Sequence, residues 1–211
     1  MEIQALCQFE LASLTHEEKA IFYAFPADYQ AFLREANGGI LTSANQWFSV
    51  PITRMLKEKS YQRTWNAIEQ FWAYLSYSNA APREEGVYSI LHEHLDRHVH
   101  EEFLPKGVYA IAHCTQNSLL CLSTNKNDFG AIYYWEWYWQ YPWYKPFFDH
   151  RIAQVFEQIA NTQAIIDDPN HPEYETVYNA LNYATIVKVN DSFTDFINNL
   201  RSESDAEGED G

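Results

Sequence analysis

The chain has 211 residues, 46% of them hydrophobic, and carries 14 basic against 29 acidic side chains, a formal net charge of −15. That length suits one hydrophobic core, burying roughly 70% of the unfolded surface. The acidity argues against a nucleic-acid partner, which needs a basic footprint, and no apolar run reaches the roughly 18 residues of a membrane span.

The N-terminal stretch Met1 to Cys7 lacks the basic-then-apolar pattern of a secretory signal. Cys7, Cys114 and Cys121 are an odd set without metal or redox spacing, and they read as free thiols in a reducing cytoplasm. The expected location is therefore cytoplasmic. Thr15-His16-Glu17-Glu18 has the capping-box pattern and opens a short helix to about Ala24. Pro26 opens a second helix, where a missing donor costs nothing. Tyr29, Phe32, Leu33 and Ala36 recur at three- and four-residue steps and share its buried face. Asn37-Gly38-Gly39 stops it through the left-handed conformation that glycine adopts without strain.

Ile40-Leu41 and Gln46 to Val50 read as short strands. Tyr61 to Tyr77 shows a helical period through Trp65, Ile68, Phe71, Trp72 and Leu75, and Val87 to about Glu102 is a second helical candidate. The period then changes. Val108 to Ala112, Ser118 to Ser123 and Ala131 to about Tyr141 form a three-strand meander. A helix from about His150 to Ile166, a loop at 167–172, a helix from Tyr174 to about Ala184 and a last helix opened by Asn190-Asp191-Ser192 follow. The stretch 202–211 holds five acids and no base, and is expected to be a disordered tail. Without it, residues 1–201 carry 14 basic against 24 acidic side chains, −10, so the body is acidic in its own right. Acidity serves solubility on the simplest reading; on the sharper one it favours a basic protein partner.

Three segments, in this order, resemble the SUKH superfamily, which includes the yeast cell-wall-synthesis regulator and many bacterial immunity proteins. They are the Pro26–Tyr29–Phe32–Leu33–Asn37–Gly38–Gly39 helix, the meander with Leu104-Pro105, Ile111-Ala112, Leu119 to Leu122, Gly130 and Tyr133 to Glu136, and the terminal Ser192-Phe193-x-x-Phe196 helix. The resemblance implies an α+β domain over residues 1–201, with one twisted, mainly antiparallel sheet, helices packed against it and helical insertions. None of the matching positions is catalytic in the family. What the resemblance implies is binding of a secreted toxin, commonly a nuclease, without chemistry and without a cofactor. The expected partner is a cognate toxin with a basic surface, whose active site the protein would occlude. A regulatory scaffold, as in the fungal members, is the first alternative.

Residues 133–148 are the densest aromatic run. Alternation places Tyr133, Trp135, Trp137, Trp139 and Tyr141 on one face and Tyr134, Glu136, Tyr138 and Gln140 on the other. The odd face is expected to enter the core and the mixed even face to meet solvent or a partner. Tyr134, Glu136, Tyr138, Trp143, Tyr144 and Asp149 are therefore the candidate partner-binding residues, since aromatic anchors dominate interfaces and suit Lys- and Arg-rich surfaces. A large core cluster is the plainer reading of the same block. His94 and His98 stand four apart on a helical reading and could share a metal, which makes a metal-dependent enzyme the second alternative. Asp96 between them points off that face, so a polar solvated helix is the plainer reading. Oligomeric state is not encoded in any of these patterns.

Overall fold

The structure is a computed structural model that describes residues 2–5, 8–51, 54–56, 59–61, 64–74, 89–92, 104–115, 118–136 and 149–203. In chain order it comprises β1 (Ile3–Gln4), a 3-10 turn (Leu11–Ser13), α1 (His16–Ala24), α2 (Ala27–Ala36), β2 (Ile40–Leu41), β3 (Trp47–Val50), β4 (Arg54–Leu56), β5 (Lys59–Tyr61) and β6 (Thr64–Phe71). Then come β7 (Val108–Cys114), β8 (Ser118–Ser123), β9 (Ile132–Glu136), α3 (Asp149–Gln158), α4 (Thr162–Ile166), α5 (Tyr174–Ala184), β10 (Val187–Asn190) and α6 (Phe193–Asn198).

Six strands form the main sheet in the order β10-β9-β8-β7-β6-β3, antiparallel at every step. With the helices packed on it, this is the expected α+β architecture. The sheet curls until its ends approach. Beyond α6, Arg201 exchanges two backbone hydrogen bonds with Trp47 of β3, at 3.0 and 2.8 Å. β1–β2 and β4–β5 are separate two-stranded ribbons.

Local chemistry explains most elements. Thr15 Oγ1 accepts from the Glu18 amide and Glu18 Oε2 accepts from the Thr15 amide, closing the capping box of α1. On α2, Tyr29, Phe32, Leu33 and Ala36 are all buried. Asn37 takes the left-handed conformation at φ 44°, and Gly38 follows at φ 78°. Ser192 caps α6 through the Asp195 amide, and its Phe193 and Phe196 are buried. Phe193 lies 4.9 Å from the Tyr29 ring and 5.1 Å from Phe32, so α2 and α6 close over one another. One buried cluster runs from Leu14 to Leu200.

Several elements differ from expectation. Within the helix expected over Tyr61 to Tyr77, Thr64 to Phe71 form β6, paired with β3 on one side and β7 on the other; residues 62, 63 and 75–77 lie outside those described. A strand in mid-sheet is covered on both faces, so Asn66, Ala67, Ile68, Phe71 and Trp72 are all buried and the alternation of a half-exposed strand is missing. Of the second expected helix, residues 90–92 are helical; residues 93–103 lie outside those described. The helix expected from His150 to Ile166 is two helices, because Asn161 takes φ +60° between them. β1, the β4–β5 hairpin and β10 are strands that the periodicity did not announce. Cys114 and Cys121 are buried free thiols, and burial pushes the Cys114 thiol well up. Cys7 and residues 204–211, with most of the acidic tail, lie outside the described residues.

Gly38 is the tightest point of the fold. A Cβ there would stand 2.6 Å from the Trp72 carbonyl carbon and 2.7 Å from the Ala73 amide nitrogen, both backbone atoms that cannot rotate away. Gly38→Ala should therefore cost at least about 2 kcal/mol in denaturant unfolding, more than Thr15→Ala at about 1 kcal/mol. Equal costs would mean that the backbone yields at this turn.

Candidate partner-binding surface

β9 decides how the aromatic run is distributed. Even-numbered Tyr134 is 1% exposed and Glu136 3%. Tyr134 packs 6.0 Å from Phe48, which in turn lies 5.3 Å from Phe196 of α6. Its hydroxyl accepts from Asn66 Nδ2 at 2.7 Å and stands 3.5 Å from Glu136 Oε2. Asn66 also accepts from Thr115 Oγ1 at 2.6 Å and donates to Ser118 Oγ at 3.3 Å. This buried network gives the polar atoms inward partners, which is what a hydroxyl and a carboxylate require away from water.

The even face was expected to meet a partner. It does not reach the surface at Tyr134 and Glu136, and the contact role expected of these two residues is corrected accordingly. The odd face is covered as well at Tyr133 and Trp135, while Trp137, Trp139 and Tyr141 lie outside the described residues. Tyr133 packs 6.1 Å from Tyr183 of α5 and donates to Asp128 Oδ2 at 2.6 Å. Trp135 is 3% exposed. The physical reason is the helical layer α3–α5, laid over the odd face while α6 and β3 cover the even one. Tyr138, Trp143 and Tyr144 lie outside the described residues, as do His94 and His98. Asp149 is placed at the first position of α3.

The layer α3–α5 is thus the outermost element beside β9, and specific bonds fix it. Arg151 donates to the Ile186 carbonyl at 2.7 Å and the Tyr183 carbonyl at 2.9 Å, tying α3 to the end of α5 and the start of β10. Burial lowers the Arg151 guanidinium pKa from its ordinary value, with Tyr133 nearby opposing the shift. Asn179 Oδ1 accepts from the Lys106 amide at 2.6 Å, and Asn125 Nδ2 donates to the Tyr183 hydroxyl at 2.6 Å and the Lys106 carbonyl at 2.7 Å. Asn125, Asn179 and Tyr183 line a cleft of about 480 Å³ between the β8–β9 turn and α5, and the Asn125–Tyr183 bond across it makes it a joint rather than a ligand cradle. A second cleft of about 260 Å³ marks the seam where β10 approaches β3, lined by Phe48, Ser49, Trp65, Asn190, Phe196 and Arg201 among others.

The layer's outer surface is one-signed. From Ile152 to Val187 the sequence holds five carboxylates, Glu157, Asp167, Asp168, Glu173 and Glu175, and no Lys or Arg. All five are exposed. Phe156 on α3 is 40% exposed, and Tyr174 and Tyr178 stack along α5 with centroids 5.4 Å apart. The carboxylate content was legible in the sequence; that these residues coat one layer was not, because the break at Asn161 and the packing of α3 on α5 are tertiary facts.

Among the described residues no group of three or more His, Cys, Asp and Glu side chains is arranged to hold a metal, and no helix is long and apolar enough to cross a membrane. The family model of the SMI1 / KNR4 family (SUKH-1) matches residues 11–159, more than half of the chain. The chain belongs to the SUKH-1 family. Proteins with this domain are generally non-catalytic immunity proteins, so membership is consistent with a toxin-immunity role and suggests a protein partner. Neither the curated proteins nor the solved structures include a match. The matched span takes in the α2 helix and the meander but ends before α4, so α4, α5, β10 and the Ser192–Phe196 segment lie beyond it.

Two tests address this assembly. Arg151→Met removes both donors to the Tyr183 and Ile186 carbonyls and should cost about 1–3 kcal/mol, with amide exchange quickening in α3 and the start of β10 before the rest of the sheet. Uniform quickening would deny that Arg151 is the local clip. Burial also holds the Tyr29, Tyr74, Tyr109, Tyr133 and Tyr183 phenols above their ordinary pKa, most strongly at Tyr29 and Tyr74. The folded state therefore keeps protons that the unfolded chain releases near pH 10. Stability is full below about pH 9.5 and should fall by at least about 1 kcal/mol by about pH 11.5 in urea titrations. A flat profile would show these phenols ionising alike in both states.

Proposed function

We propose that this chain is an immunity protein that binds a cognate bacterial toxin and occludes its active site, protecting the cytoplasm of the cell that makes it. Membership of the SUKH-1 family carries the reading. The net charge of −15 refines it, since an anionic surface speeds encounter with a cationic protein and penalises acidic wrong partners. Nucleases are a natural target class on the same physical ground. An enzyme that grips phosphates needs a basic cleft, and an acidic protein can fill that cleft. On this reading the chain performs no chemistry of its own and inhibits by stoichiometric occupation.

Occupation has a signature that regulation does not. Co-expression with the toxin domain encoded beside this chain should restore growth, and inhibition in vitro should reach completion near a 1:1 ratio. Restored growth with an uninhibited toxin in vitro would point instead to a regulatory scaffold, and no restoration would remove the immunity reading.

A further inference from the structure

We infer that the outer face of the α3–α5 layer is where the toxin sits, with Phe156 as the apolar anchor and the layer's exposed carboxylates meeting the toxin's Lys and Arg side chains. This rests on the immunity reading above and names the surface that reading leaves open.

Four large hydrophobic side chains are exposed among the described residues: Tyr23, Ile40, Phe129 and Phe156. Charge separates them. Tyr23 lies on α1, which carries Lys19, and beside α2, whose Arg34 sits 5.0 Å over the neighbouring Phe22 ring. Phe129 belongs to the turn that holds Lys126. Ile40 lies on a two-residue strand of the β1–β2 ribbon. Ile40 also lies in a stretch without Lys or Arg, Glu35 to Thr53, but that stretch holds a single carboxylate; the stretch of Phe156, Ile152 to Val187, holds five, all exposed. Of the two cations at its borders, Arg151 is spent on two backbone carbonyls and Lys188 pairs with Asp191.

Phe156 is exposed because of where α3 is anchored. Ile152, one turn earlier, packs against the core, and Arg151 turns inward to the Tyr183 and Ile186 carbonyls. The helix then runs on to α4 with Phe156 in the open. An exposed apolar ring on a layer whose exposed charges from Ile152 to Val187 are all carboxylates has the make-up of an apolar interface centre with an acidic rim. The stacked Tyr174 and Tyr178 rings add half-buried π faces suited to guanidinium or ammonium groups. The same charge excludes other occupants. A second copy of this chain would set carboxylate against carboxylate, and nucleic acid or an anionic lipid surface would be repelled. A cationic protein surface is what remains complementary.

Four forms of the chain test this by calorimetry against a catalytically disabled form of the toxin domain encoded beside it. Glu157→Lys with Glu175→Lys reverses two charges on the layer. Glu10→Lys with Glu35→Lys reverses two equally exposed charges elsewhere, so net charge is matched. Phe156→Ala removes the anchor at a site exposed enough to spare the fold. The layer pair should raise the dissociation constant at least tenfold, Phe156→Ala at least fivefold, and the control pair less than threefold. Wild-type binding with equal effects of the two charge pairs, or with no effect of Phe156→Ala, would overturn the assignment of this face and leave the immunity reading standing. A toxin that the wild-type chain does not bind would end both.

Discussion

The turn at Asn37 to Gly39 is the constraint on which the rest of the molecule depends. Asn37 Oδ1 accepts from the Tyr74 amide at 2.7 Å, and its Nδ2 donates to the Gln8 carbonyl at 3.1 Å. Two residues later, Gly39 exchanges backbone bonds with Phe71 at 3.0 and 2.8 Å. One turn therefore joins the N-terminal segment, the end of α2 and the last residues of β6. Only glycine lets the backbones approach this closely, because the place of a side chain at position 38 is taken by the Trp72 carbonyl. With β6 held there, α2 lies against the sheet, and Phe32 can meet Phe71 and Phe193 across the core.

That geometry assigns the two sides of the sheet. The side holding Phe48, Tyr134 and Phe196 is closed by α6 and by the Arg201–Trp47 bridge. Polar groups caught there, Asn66, Thr115, Ser118 and Glu136, are tolerable only because they face one another, and the network helps hold β6 against β8 and β9. On the other side, Tyr133 meets Tyr183 and the helical layer follows. Its buried residues are few, Thr162 and Ile165 on α4 and Val177 and Ala184 on α5, so most of its surface is left to water. On the proposed immunity reading, the helical layer outside is what a partner would recognise.

The helices were legible in the sequence where caps and period agree. Thr15 and Glu18, the Tyr29 to Ala36 face and Ser192 before Phe193 each combine a start or stop signal with helical spacing, while the Tyr174 to Ala184 span was read without a cap and has no side-chain cap bond. The meander was legible from its β-branched and aromatic runs. Misreadings arose where burial on both sides erases pattern. Trp65, Ile68, Phe71 and Trp72 fall at helical spacing, yet the first three occupy a strand with neighbours on both edges and Trp72 follows it directly. Alternation in β9 separated odd from even residues correctly, but could not tell which of the two faces would stay open. The fold covers both. The candidate surface accordingly moved from Tyr134 and Glu136 to the layer that begins at Asp149. A layer assembled from three helices cannot be seen in any one of their periods.

Native-state hydrogen exchange tests the central claim most directly, since it ranks each amide by the free energy needed to open it. The amides of Gly39, Phe71 and Tyr74 should exchange only through global unfolding, at the same free energy as Ile111 and Leu120 in the middle of the sheet, while α4 opens earlier. Exchange at the Asn37–Gly39 junction by local fluctuation, at free energies below those of α4 and α5, would contradict the account.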